Sequence, residues 1–481
     1  MRSRWSSRVL ILSGLVPLTL SLSGCFVSKV ATEKPELPLP AALPAQADAT
    51  AQLPDPWWTI FQDATLDKLV EEALAHNPDV TIAAGRVAEA RAGLRITNAD
   101  RLPNFQLQGD ATRSKDSALV NTFPGVRLEQ TTYTVQGAVG YELDLWGKYQ
   151  RASESARAAL LNTEYGREAT KLSLTGDVVR GYFGLIASAE QLASARDTLR
   201  NREDSLRLEK LRFDAGESDE FTYKRAEADT ASTRVSLHQF ELDLVTRTNA
   251  LGILLGRSPK DLVDAAISVQ GASLPAAVTL PAELPSAVME RRPDIGAAEA
   301  ALEGAAADIG VARAQMFPSI SLTGLFGSIS TELGDLFTKP AEAWSASAGI
   351  VQPLFEGGRL SANVARTRAV REQVKAEYSR TVQSAFREVL DALQGQSLIL
   401  GVRDANAQQV ASLARAAELA ELRYTQGDIA YIDLLDVRRS LFAAQIDLVA
   451  AERDALLNTV DLALAVGAGL GDKAEPLSAK R

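Results

Sequence analysis

The sequence predicts an α+β membrane protein, internally duplicated, in which each half holds two membrane strands and one very long helical hairpin. Three observations lead there. The chain repeats itself once: Asn77-Pro78-Asp79 returns as Arg292-Pro293-Asp294, and Leu102-Pro103-Asn104-Phe105-Gln106-Leu107 returns at the same offset as Phe317-Pro318-Ser319-Ile320-Ser321-Leu322. Leu211-Arg212-Phe213 with Gly216 returns as Leu422-Arg423-Tyr424 with Gly427. Solenoid units recur every ~20–50 residues, so a single repeat at this wider spacing is a duplicated domain. Within each half lie alternating segments, and then helical segments of unusual length that lack proline.

The N-terminus opens with Arg2, Arg4 and Arg8, followed by an apolar run from Val9 to Leu20 and then Leu22-Ser23-Gly24-Cys25. This is the order of a lipoprotein signal, 1–24, cleaved before a cysteine whose thiol takes the lipid. Cys25 is the only cysteine in the chain, which suits that one role better than a plain secretory signal. Phe26 and Val27 follow, without the aspartate that resembles an inner-membrane retention signal. Residues 25–60 read as a lipidated tether: Pro35, Pro38, Pro40, Pro44, Pro54 and Pro56 come with few large apolar residues until Trp57, Trp58 and Phe61 supply the first packing anchors.

The first repeat, 61–260, begins with helices to about residue 101, the second of them started by Pro78 after Asn77. Strands follow at about 104–114 and 132–143. Phe105, Leu107 and Gly109 alternate with Asn104, Gln106, Gln108 and Asp110, and Tyr133, Val135, Gly137, Val139, Tyr141 and Leu143 alternate with mostly polar or small residues. Apolar-out, polar-in alternation over about ten residues fits a membrane barrel; half of a soluble sheet is the plainer alternative. About eight strands are needed to close a barrel, so four per chain require a barrel shared between chains.

A helical hairpin at about 148–255 follows, with its tip at 213–221. No proline occurs from Lys148 to Arg212, and at 1.5 Å per residue such an arm reaches on the order of 100 Å. Tyr165, Leu172, Val179 and Ile186 are spaced by seven, the period of a coiled-coil seam. Residues 261–285, with Pro275, Pro281 and Pro285, read as an equatorial linker. The second repeat, 286–470, places strands at about 318–328 and 343–352 and a hairpin at about 358–467, with its tip at 425–432. Its seam is Leu434, Leu441, Leu448, Ala455 and Leu462, the counterpart of Leu237, Leu244 and Leu251. A tail, 471–481, closes the chain.

Composition narrows the function. The net charge is −10, acidic residues are spread along helices and there is no basic patch, which argues against nucleic acid. His76 and His238 are far apart and read as solvated helix residues, so no metal site is expected. No GxSxG, P-loop or complete GxGxxG is present. The expectation is no enzyme and no cofactor.

Several motifs together carry a family resemblance. They are Arg291-Arg292-Pro293-Asp294-Ile295, Ala314-Gln315-Met316-Phe317-Pro318-Ser319-Ile320-Ser321-Leu322, Tyr141-Glu142-Leu143-Asp144-Leu145-Trp146-Gly147-Lys148, Pro353-Leu354-Phe355-Glu356-Gly357-Gly358-Arg359, and Arg423-Tyr424 with Gly427. In this order, and in both halves, they resemble the outer-membrane factor family of tripartite efflux pumps, of the TolC and OprM type. The lipoprotein, NodT-like branch serving RND pumps is the closer match. The resemblance implies a homotrimer whose four strands per chain form a 12-stranded outer-membrane β-barrel, continued by a long α-helical coiled-coil periplasmic tunnel. It also implies a periplasmic adaptor and an inner-membrane RND pump as partners, with outer-membrane lipid engaged through acylated Cys25. Gly147 and the Gly357-Gly358 pair then read as strand-to-helix swivels and Pro103 and Pro318 as the reverse passages, each suited to its backbone demand.

Function is expected at the hairpin turns, punctuated by Gly216 and Gly427. By the resemblance, the second turn is the constriction that closes the tunnel. Asp433 matches an acidic position of the TolC branch and Asp436 a position acidic in both branches; three apart, they share a helical face. In a trimer each becomes a ring of three carboxylates, which repel one another and favour cations. Arg439 is expected to lock the closed state, with Tyr424 and Arg423 as further latch members. From the residues alone, the two aspartates also read as a solvated helix N-terminus, where acids are favoured. Two other functions fit the pattern less closely: the duct of a type I protein-secretion system, and a lipid-anchored periplasmic coiled-coil scaffold.

Overall fold

The computed structural model describes residues 30–35, 37–38, 54–117, 119, 129–264, 267, 269, 271–278 and 291–469. The signal 1–24, Cys25, most of the tether and the tail 471–481 lie outside the described residues. A 3-10 turn, Trp57–Phe61, is followed by α1 (Ala64–His76), α2 (Pro78–Ala99), β1 (Asn104–Lys115), β2 (Glu129–Glu142), α3 (Lys148–Asp214), α4 (Glu220–Leu254) and α5 (Pro259–Asp264). The second half supplies α6 (Pro293–Ala314), β3 (Ser319–Ser330), β4 (Glu342–Val351), α7 (Arg359–Gln426) and α8 (Tyr431–Ala465). α3 and α7 run for 67 and 68 residues without a break. Among the described residues, no helix is long and apolar enough to cross a membrane.

The chain divides into two compact units. The first takes in residues 88–162 and 298–377 and contains the sheet, in the order β1-β2-β3-β4, antiparallel throughout. β2 begins at Glu129, ahead of the start near 132 that alternation marks. Residues 129–131 complete the ladder opposite 113–115, and Glu129 pairs with Arg113 at 2.9 Å. Register puts Leu107, Gly137, Phe326 and Trp344 side by side on one face, together with Phe105, Val139, Leu322 and Ile350. The other face carries Gln106, Gln108, Gln136, Thr323, Ser345 and Ser347, with Leu325, Ile329 and Val351 as larger aliphatic exceptions. The apolar face is open in the protomer: Leu107 is 81% exposed and Trp344 72%. The helical part of this unit packs through small residues. Ala300, Ala305, Ala306 and Ala312 are buried, and a Cβ on Gly304 would lie 3.5 Å from that of Ala158.

The second unit takes in residues 36–87, 163–297 and 378–481. Its core is built around α3. Leu172, Leu174, Val178, Val179, Tyr182, Phe183, Leu185 and Ile186 are all buried, so this stretch is covered on more sides than a heptad seam alone requires. Trp57, Trp58 and Phe61 supply the extra cover. Phe61 stands edge-on to Phe183 at 4.9 Å, and the fully buried Trp57 donates its Nε1–H to Thr175 at 3.3 Å. Asp63 caps α1 by accepting from the amides of Thr65 and Leu66, and it also accepts from the Tyr182 hydroxyl at 2.8 Å. The linker packs here too: Leu274 donates its amide to Glu190, and the Val278 carbonyl accepts from Thr459.

Duplication is visible at one joint of this unit. Asn77 donates its side-chain amide to the carbonyl of Leu254 at 2.9 Å, and Arg292 donates to that of Ala465, also at 2.9 Å. Each residue precedes a Pro-Asp helix start and satisfies a terminal carbonyl of the returning hairpin helix, one of the orphan acceptors every helix leaves. Beside each joint stands a left-handed glycine, Gly256 (φ 72°) and Gly467 (φ 64°). A Cβ on Gly256 would fall 2.3 Å from the His76 carbonyl oxygen, and one on Gly467 would fall 3.0 Å from the Arg291 backbone.

Candidate functional site

Each predicted swivel has a specific construction in the first unit. After α2 the Leu102 amide bonds the Ala99 carbonyl, and after α6 the Phe317 amide bonds that of Ala314. Pro103 and Pro318 then begin the extended chain. The return from β2 to α3 uses most of its motif. Lys148 and the Tyr149 hydroxyl donate to Glu142 at 2.6 and 2.8 Å, and Asp144 accepts from the amides of Tyr149 and Gln150. Trp146 stacks on Phe317 at 5.0 Å and donates to the Pro318 carbonyl at 2.6 Å. Gly147 (φ 76°) makes the turn, and Gly357 (φ 59°) and Gly358 (φ 83°) do so before α7.

The two hairpin tips lie in the second unit and are built alike. Gly216 (φ 76°) and Gly427 (φ 82°) stand in the left-handed region just past α3 and α7. Behind each the chain makes the paired bonds of a Schellman ending: Glu217 amide to Arg212 carbonyl, and Asp428 amide to Arg423 carbonyl. The caps that follow differ. Asp219 caps α4 by accepting from the Thr222 amide at 2.7 Å. Ala430 has no side chain for that task, and Asp433 instead reaches back to accept from the Ala430 amide at 3.2 Å. Asp433 and Asp436 are both exposed, and among the described residues neither has an ion-pair partner.

Tyr424 and Arg439 take part in a network that joins the two hairpins. The Tyr424 hydroxyl donates to Glu209 at 2.5 Å and accepts from Arg212 at 2.7 Å, while the Arg212 guanidinium lies 5.0 Å from the Tyr424 ring. Arg439 Nε donates to Asp229 at 2.7 Å, and Arg202 Nε lies 2.9 Å from the other oxygen of that carboxylate without hydrogen-bond alignment. Arg438 donates to Ser205 at 2.8 Å and pairs with Glu421. The apolar part is Ala226, Tyr431 and Leu435, with Leu206 and Tyr424 packed against them. Burial, reinforced by the Asp229 carboxylate, pushes the Tyr431 hydroxyl up to about 12, and burial next to Glu209 also raises Tyr424. Both phenols therefore stay protonated at any physiological pH. Arg423 is exposed, without a partner among the described residues; within one chain it is Arg212 that holds Tyr424.

The sequence reading did not identify the first-hairpin side of this network: Arg202, Ser205, Glu209, Arg212 and Asp229. One signal was present. Asp229 shares a helical stripe with Ala226, Thr230 and Thr233, small residues at contact spacing, and all four are buried.

The outer membrane efflux protein family matches residues 69–257 and 284–468, most of the chain and both repeats. The chain belongs to the outer membrane efflux protein family. The cation efflux system protein CusC of Escherichia coli is 33% identical over 457 residues, covering 94% of this chain and 97% of that protein. The toluene efflux pump outer membrane protein TtgC of Pseudomonas putida is 31% identical over 431 residues, covering 89% and 88%. A crystal structure of a membrane protein from Pseudomonas aeruginosa superposes with a TM-score of 0.84 at 32% identity, covering 92% of this chain and all of that one. An outer membrane efflux protein is a transport component of the outer membrane.

Proposed function

We propose that three copies of this chain form a passive duct of a tripartite pump, exporting small solutes from a periplasmic adaptor and an inner-membrane pump to the exterior. The observation that carries this reading is the sheet. Among the described residues β1 and β4 each leave one edge unpaired, while one face is apolar and exposed. Bare edges demand partners, and lipid tolerates no open sheet. Four strands are too few to close, whereas twelve from three copies suffice, and an even number per copy keeps every junction antiparallel. Acylation of Cys25 adds an anchor in the same membrane.

The second tip is the gate in this reading. Asp433 and Asp436, exposed and without ion partners among the described residues, converge near the threefold axis as carboxylate rings. The network of Tyr424, Glu209, Arg212, Asp229 and Arg439 holds the second hairpin against the first and keeps the rings narrow. Opening is a change between two packings, driven by a partner that binds the open one better. The names of the relatives point to a cation in one case and toluene in another, so the shared class is small solutes. The driving energy belongs to the pump, and the duct itself needs no catalytic group.

Single-channel conductance of the purified protein in planar bilayers tests this, beside an Asp433→Ala/Asp436→Ala variant. A small cation-preferring conductance that rises several-fold in the variant is expected. An unchanged conductance removes the gate assignment, and well-folded protein that forms no channel removes the duct.

A further inference from the structure

A groove of about 670 Å³ opens in the second unit between α3, α7 and α8, just above the tip network. Its polar lining includes Ser194, Thr198, Asn201 and Ser205, with two guanidiniums, Arg202 and Arg438. Arg202 is only 4% exposed, yet among the described residues its Nε and Nη1 have no aligned hydrogen-bond acceptor. Its one ionic neighbour, Asp229, is shared with Arg439, which takes the aligned bond. A buried donor without an acceptor is costly, and a charged one more so.

The local charges do not balance. Arg202, Arg212, Arg438 and Arg439 face Glu209, Asp229 and Glu421, four cations against three anions. The other acids around the groove are already engaged: Asp197 with Arg200, Asp204 with Arg207, and Glu418 with Arg415. One positive charge is left over, because Arg202 and the more exposed Arg439 share the single carboxylate of Asp229. Burial makes both groove guanidiniums hold their protons less tightly than usual, and Arg202 adds to that effect on Arg438.

We propose that this groove binds a small monovalent anion, held by Arg202 and Arg438 with neighbouring hydroxyl and amide donors. Halides and small carboxylates share the required chemistry: one negative charge and room for several charge-assisted hydrogen bonds. The bound anion bridges α3 of the first hairpin to α8 of the second. That it thereby favours the closed tip rests on the gate reading above; the binding does not.

Bromide is the probe. Crystals of the full-length protein soaked in bromide are expected to show an anomalous peak between Arg202 and Arg438, absent from Arg202→Met. In solution, replacing gluconate by chloride at constant ionic strength should raise the melting temperature of the wild type and leave Arg202→Met unmoved. If Arg202→Met does not fold, Thr198→Leu narrows the groove without changing charge and should abolish the same chloride response. No peak at this position, a carboxylate of a neighbouring copy seated there, or an equal chloride response in the variants would overturn the proposal. Conductance is a separate readout, so loss of the anion site and loss of the gate can be told apart.

Discussion

Gly256 and Asp229 show two ways a single residue becomes indispensable. Gly256 combines a positive φ with a backbone approach that leaves no room for a methyl group, 2.3 Å from the His76 carbonyl oxygen. Gly256→Ala is expected to cost about 1–3 kcal/mol from φ alone, plus the displacement of α1 from its joint. A drop in melting temperature, larger than that of Gly216→Ala in open space, checks it. Asp229 is the buried anion shared by two arginines. Removing it strands Arg202, so Asp229→Ala should destabilise the tip by roughly 3–5 kcal/mol. Arg439→Ala should cost about 1 kcal/mol or less, because Arg439 is 48% exposed and its loss leaves Asp229 with Arg202. Hydrogen exchange of the α4 amides around 226–233 reads both, and equal effects would refute the assignment. At this scale the turn glycines were legible in the sequence, because left-handed backbone is a local requirement that glycine meets. Asp229 was not, because burial of a carboxylate depends on what another hairpin places over it.

Among the elements, α3 departs furthest from its sequence pattern. The heptad Tyr165, Leu172, Val179 and Ile186 marks one seam, yet Val178, Tyr182, Phe183 and Leu185 are buried as well. Covering them takes Trp57, Phe61 and α1, which are distant in sequence. Trp57→Ala, in a fully buried site, should cost about 3–5 kcal/mol and lower the melting temperature accordingly. A pH effect belongs here too. Asp243 is partly buried, which opposes its ionisation, but the Ser188 hydroxyl and Arg247 more than offset this and hold its carboxyl below the usual range. A lowered folded pKa means stability present above the unfolded carboxylate pKa and lost as pH falls through the folded one. Melting temperature should therefore fall on acidification through the carboxylate range, and fall less in Asp243→Asn.

At the scale of the whole molecule the open sheet edges make the strongest demand. If β1 of one copy pairs with β4 of the next, Gln108→Cys tested against a cysteine scan of β4 should give disulfide-linked oligomers at one register, in a Cys25→Ser background. Crosslinks at no register, or equally at every register, would count against a closed barrel. The duplication, the strand pairs, the unbroken helices and their glycine and proline punctuation are all legible along the chain. Each of these is written in local periodicity or backbone preference, which neighbours along the chain suffice to express. It took the folded packing to show that Asn77 and Arg292 satisfy matching helix ends, and that Arg212 rather than Arg423 holds Tyr424. The packing also decided that the buried Arg202 shares its one carboxylate partner, Asp229, with Arg439. Those facts arise between residues far apart in sequence, 212 positions for Arg212 and Tyr424, where burial and charge balance are set by packing.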